Sequence, residues 1–117
     1  MLFLCHPACT TCAKARAFLS ARGLKYTERD IRQERPTEAE LVRWHHVSGL
    51  PLKRFFNTSG NAYRELGLSK KLDGLDEAAQ LKLLATDGML VRRPILAQDG
   101  LVLVGFNEKT WAAALDN

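Results

Sequence analysis

Residues 3–19 read FLCHPACTTCAKARAFL, and the fold turns on how that run changes character midway. Its start continues a short apolar segment from Met1, which Pro7 breaks into a loop. From Thr10 the period changes. Ala15, Phe18, Leu19 and Arg22 recur at helical spacing, and Gly23 stands where a helix C-terminus takes a left-handed residue. Residues 24–31, with Tyr26 and Thr27, favour extended backbone. Strand, helical crossover and strand make a right-handed βαβ unit, so the two strands are expected to run parallel.

Downstream the pattern is helical. Pro36-Thr37 opens a helix whose first turn holds Glu38 and Glu40, suited to its dipole, and Gly49 ends it. PLKRFF is a short helix, and NTSG is a turn from which Thr58 or Ser59 caps NAYREL up to Gly67. Asp76 or a neighbour caps EAAQLKLLA, closed by Asp87-Gly88. Residues 34–88 therefore read as an all-helical insert with no strand signal. ILA and LVLVGF follow as strands joined at Gln98-Asp99-Gly100, and Asn107 caps a last helix, EKTWAAAL. The order β-α-β, helical block, β-β-α predicts an α/β, thioredoxin-like fold: a four-stranded mixed sheet flanked by helices, with the insert between its halves.

The chain has 117 residues, 46% apolar and 26% charged, which suits one soluble domain, 1–117, that buries its own core. The apolar start is too short to span a membrane or serve as a signal core and lacks a basic segment before it, so a cytoplasmic protein is expected. In that compartment thiols stay reduced, and close cysteines point to catalysis, sensing or metal. The net charge of +4 is mild and interleaved with acids, which reads as a solvated surface with no direct nucleic-acid contact.

Cys9-Thr10-Thr11-Cys12 is a C-x-x-C where a strand gives way to a helix. The first helical turn presents unpaired N–H groups and the positive dipole end, both favouring thiolate. Cys9, at the tip, is the candidate nucleophile. Cys12 shares a face with Ala15 and Leu19, points to the core, and suits the resolving role. Rival readings are plain core filling and a metal site made of Cys5, His6, Cys9 and Cys12; four ligands within eight residues would have to wrap one ion while a helix starts, so no metal is expected. Cys5 reads as the end of a buried strand, close enough in sequence to be an alternative disulfide partner. His6 either lends charge to Cys9 or faces water. His45 and His46 read as solvent-side, and Trp44, Phe55, Phe56 and Trp111 as packing.

Arg92-Arg93-Pro94 opens the third strand. In this fold that strand begins opposite the C-x-x-C, where a cis-proline leaves backbone free to hold a substrate; Pro94 is the candidate. Arg93 would then stand near Cys9, lowering its pKa and holding an oxyanion or carboxylate, with Arg92 a second candidate.

With CHPACTTCAKARAFL and LVRRPIL both in view, the chain resembles the arsenate reductase-like ArsC/Spx family, which includes the YffB proteins. PACTTCAKARAFLSARGLKY, GLPLKRFFNTSGNAYRELGL, ATDGMLVRRPIL and VGFNE follow the family's order and spacing over essentially the full length. The resemblance implies a thioredoxin-like core with a helical insert, Cys9 as catalytic cysteine and Arg93 as its arginine. Glutaredoxin-coupled arsenate reductases hold the oxyanion with an arginine triad; here the other two positions correspond to Asn57 and Phe106, which leaves a dianion poorly matched. The Spx branch uses its C-x-x-C as a redox switch and binds the C-terminal domain of the RNA polymerase α subunit, in part through a glycine corresponding to Gly49. That branch also carries a basic tail, whereas this sequence ends at Asn117. FFNTSGNAYRELGL is more like the YffB-type members.

Two functions follow. One is a thiol–disulfide oxidoreductase acting on a small thiol or an oxidised protein thiol. It needs no bound cofactor, takes glutathione as co-substrate, and is reduced by glutaredoxin or thioredoxin. The other is an Spx-type redox-sensing regulator binding RNA polymerase α.

Overall fold

The computed structural model describes residues 1–116. Strand β1 (Leu2–Cys5) leads into α1 (Thr10–Ala21) and β2 (Thr27–Asp30). The insert holds α2 (Glu38–Ser48), α3 (Asn61–Glu65), α4 (Leu68–Lys71) and α5 (Glu77–Leu84), with single 3-10 turns at Leu52–Phe55, Leu72–Gly74 and Gly88–Leu90. The hairpin β3 (Ile95–Gln98) and β4 (Leu101–Val104) is followed by α6 (Glu108–Leu115). The sheet order is β2-β1-β3-β4, with β1 parallel to β2 and antiparallel to β3. This is the mixed four-stranded sheet that the element order implies. No helix among the described residues is long and apolar enough to cross a membrane.

Strand alternation sorts the core into two layers. Phe3, Cys5, Leu96 and Leu103 pack with Cys12, Ala15, Phe18, Leu19 and Trp111, under α1 and α6. Leu4, Ile95, Ala97, Val102 and Val104 face the other way, against Trp44, Phe55, Phe56 and Leu84 of the insert. The period-2 pattern therefore assigns Cys5 to the α1 face before any contact is measured.

Several local expectations needed correction. The second strand is shorter than residues 24–31 and half-exposed, because it is a sheet edge with only β1 beside it. Neither Thr58 nor Ser59 caps α3; its N-cap is Gly60, which supplies no side chain. His45 is not solvent-side: its ring meets Phe55 edge-on at 5.9 Å and its Nδ1 lies 3.4 Å from Glu77. The insert is also not free of extended backbone, for Phe56 bridges Val91, the Arg92 amide donates to the Phe55 carbonyl (2.8 Å) and that of Asn57 to Leu90 (2.7 Å). Those bonds fasten the insert to the segment that enters β3.

Gly88 does not close a helix as a left-handed residue. α5 ends at Ala85, and Asp87 instead caps the next turn by accepting the Met89 amide. Gly88 is glycine because a Cβ there would stand 1.9 Å from the Ile31 carbonyl oxygen and 2.9 Å from its carbon. Backbone cannot swing aside as a side chain can. Gly88→Ala is therefore expected to lose about 3 kcal/mol of stability, read as a lower urea midpoint at unchanged slope.

The α2 start is a full capping box, Thr37 accepting from the Glu40 amide while Glu40 accepts from that of Thr37. Arg29 donates to both Glu40 oxygens at 2.8 and 2.9 Å. That bonding, opposed by burial and helped by the Thr37 amide, holds the Glu40 carboxyl from an ordinary 4.5 down to about 2. A depressed folded pKa stabilises above the unfolded value and ceases to do so as pH falls through the folded one. Glu40→Gln is thus expected to cost about 2 kcal/mol at neutral pH. Most of that difference should vanish in denaturation curves run near pH 2.

Candidate redox site

Cys9 is the N-cap of α1, with φ −86° and ψ 123°, and its carbonyl accepts the first helical bond from Ala13 at 3.1 Å. The turn before it is closed by the Cys9 amide on the His6 carbonyl (3.0 Å). α1 has no acidic residue in its first turn, so the dipole end is met by Cys9 alone. Desolvation works to raise the Cys9 pKa. It is outweighed by the Cys12 amide, the Cys12 thiol, the Thr11 amide and the Arg93 charge, so the thiol lies below the ordinary 9.0. Cys9 holds the N-cap position by its backbone, and its side chain makes no capping hydrogen bond.

Cys12 is wholly buried one turn on. Its Sγ accepts the His6 amide at 3.4 Å. Burial first, then the adjoining Cys9 and Cys5 sulfurs, overcome that amide and push it up to about 12. All three cysteines are free thiols. Two sulfurs of opposite character, one partly open and ionisable, one buried and protonated, are what nucleophile and resolving roles require. His6 does not turn its ring Nδ1 to Cys9; that atom accepts the Ala8 amide at 3.1 Å. Among the described residues no group of three or more His, Cys, Asp or Glu side chains is gathered to hold a metal.

The sheet brings the second half of the site. Leu4 pairs with Ile95, so the antiparallel register sets Pro94 across from Cys5 and Arg93 beside the loop that carries Cys9. The Arg93–Pro94 bond is cis, and the Pro94 carbonyl accepts the Gly105 amide at 2.8 Å. Arg93 is partly exposed and its Nη1 makes a long bond to the Val91 carbonyl (3.4 Å). It opens on a groove of about 550 Å³ lined also by Asn57, Gly60, Asn61, Asp87 and Met89. Asn57 and Arg93 thus line the same groove. Arg92 goes elsewhere: its stem lies against Gly105 and its Nη2 reaches Thr58 at 3.5 Å. Phe106 stacks edge-on with Phe18 (5.6 Å) and Trp111 (5.0 Å), a packing role that offers an anion nothing.

Sequence reasoning missed Arg16 and Glu28. Arg16 Nη2 donates to Cys5 Sγ at 3.2 Å, and its Nε to Glu28 at 2.9 Å. The available signal was the spacing of Arg16, four residues after Cys12 on the same helix; Glu28, on the neighbouring strand, had none.

Similar proteins match the chain over most of its length. YusI of Bacillus subtilis (strain 168) is 44% identical over 116 residues, 96% of this chain and 98% of that protein. A solved Bacteroides fragilis structure, of a protein related to the ArsC family, has 49% identity and a TM-score of 0.94, covering 96% of this chain and 94% of its own. The global transcriptional regulator Spx of Staphylococcus epidermidis is 30% identical, over 87% of this chain and 76% of that protein. The ArsC family model itself matches residues 4–114, from the second residue after β1 begins to the penultimate residue of α6. Matched from β1 to α6, across the C-x-x-C and the Arg-Pro junction, the chain belongs to the ArsC family.

Proposed function

We propose that this protein is a thiol–disulfide oxidoreductase. Cys9 attacks an oxidised low-molecular-weight or protein disulfide and releases one thiol, and Cys12 then attacks the mixed disulfide, releasing the second thiol and closing Cys9–Cys12. One disulfide is consumed and one formed, so electrons balance; glutathione, glutaredoxin or thioredoxin reopens the bridge. Arg93 and the backbone at Pro94 take a substrate carboxylate, Asn57 offers an amide in the same groove, and Arg92 supports the junction from its far side. The single observation carrying this reading is the placement of the two thiols, Cys9 partly open at the mouth of α1 and Cys12 wholly buried one turn behind it. Reduction of arsenate fits less well, since Arg93 stands without the two further guanidinium groups that the anion needs.

The test is a thiolate titration followed in the ultraviolet, alongside turnover with glutathione and thioredoxin. A lowered Cys9 titration that moves up in Arg93→Gln, with about a tenfold loss of kcat/KM, supports the reading. An ordinary Cys9 thiol and no turnover with either reductant would overturn it.

A second reading is a redox-sensing regulator. Likeness to Spx supports it, as does Gly49, exposed at φ 67° beyond α2. Its partner would be the C-terminal domain of the RNA polymerase α subunit. Pull-down of that domain by oxidised wild type, but not by Cys9→Ser, would favour it; binding by neither removes it.

A further inference from the structure

We propose that Cys5 is a third redox-active thiol, which takes the bridge over from Cys9 by attacking Cys12, so that the oxidised protein carries Cys5–Cys12 and a free Cys9. The inference rests on the oxidoreductase reading and adds a step to it. Four observations carry it. Cys5 and Cys12 are both buried in the layer beneath α1, in one apolar cluster. The Cys12 sulfur accepts the His6 amide at 3.4 Å, so it lies over the peptide bond that leaves Cys5. Arg16 Nη2 donates to Cys5 Sγ from 3.2 Å. Glu28 is gripped by the same guanidinium at 2.9 and 3.3 Å. Its charge and hydrogen bonding also act on the Cys5 thiol, after burial the leading causes that raise it.

Those groups are what an exchange at this depth requires. The Cys5 proton is lost to a solvent base beside Glu28, whose side chain is 43% exposed and whose own carboxyl Arg16 holds below the ordinary carboxylate range. Arg16 meets the thiolate charge as it forms. The Cys5 sulfur attacks the Cys12 sulfur, the Cys9–Cys12 bond breaks, and the electron pair leaves on Cys9. Cys9 is the better leaving group because its pKa is low. One disulfide precedes the step and one follows it, so no further oxidant is needed. The consequence is chemical: the oxidised protein keeps a nucleophile at its surface and can take a second equivalent of disulfide substrate.

The experiment uses full-length protein oxidised with one equivalent of diamide and trapped in acid with a maleimide. After reduction and iodoacetamide treatment, fragment spectra of residues 1–14 show which cysteine had been free. The inference predicts maleimide on Cys9 in at least a fifth of molecules, and in Cys9→Ser an intramolecular bridge that protects both remaining thiols. Maleimide confined to Cys5 in the wild type, with both thiols of oxidised Cys9→Ser still labelled, overturns it. Cys5→Ser separates the two claims. If it forms Cys9–Cys12 and turns over while wild type shows no exchange, only this inference falls; if no bridge forms in either protein, the oxidoreductase reading falls with it.

Discussion

At pH 7 the reduced protein is expected to be alkylated by iodoacetamide at Cys9 about a hundredfold or more faster than at Cys12. Cys12, held at about 12, exposes only about one thiolate in 10⁵ at that pH. Cys9, below 9.0, exposes more than about one in 10². Ionisation alone therefore favours Cys9 by roughly 10³. The more basic thiolate is intrinsically the better nucleophile and returns about a factor of 20. Burial then decides the outcome, because Cys12 has no exposed surface while Cys9 is partly open. The Cys9 rate should rise with pH and level off earlier than for an ordinary thiol, since a lowered pKa completes ionisation sooner. Mass-resolved labelling against time measures both rates in one sample. Equal rates would remove the division of roles between the two sulfurs.

Replacing Cys9 should have the largest effect on activity. Cys9→Ser is expected to lower disulfide turnover by at least about 10³-fold, because a hydroxyl at the same helix mouth stays protonated. Cys12→Ser should differ in kind. The first attack still occurs, glutathione accumulates as an adduct on Cys9, and turnover falls about 10- to 100-fold as release waits for an external thiol. Intact mass after reaction with oxidised glutathione distinguishes the two variants. Full turnover by Cys9→Ser would show that the nucleophile had been misplaced. Unchanged turnover by Cys12→Ser would instead assign release to the external thiol.

The legible parts of this protein were the local ones. Gly23 ends α1 in the left-handed region, φ 64°, with the Gly23 and Leu24 amides returning to Ser20 and Leu19, as the run of apolar spacings required. Thr37, Asp76 and Asn107 cap their helices as read. Gly100, at φ 77°, turns the β3–β4 hairpin. Each depends on residues within five positions of one another, so periodicity and turn chemistry suffice. Where the signal was weak, as at Thr58 and Ser59, a nearby glycine took the cap position instead.

By itself, then, the sequence determined the two strand–helix halves, the insert between them, and the placing of Cys9 at a helix mouth with Cys12 one turn inward. Those are consequences of short-range geometry. Only the tertiary structure decided that Arg92 turns to Thr58 and Gly105, that Gly88 must admit the Ile31 carbonyl, and that Arg16 and Glu28 close on Cys5. The physical reason is the same in each case. Charge, burial and close approach act through space, and they join residues whose separation along the chain carries no record of their contact.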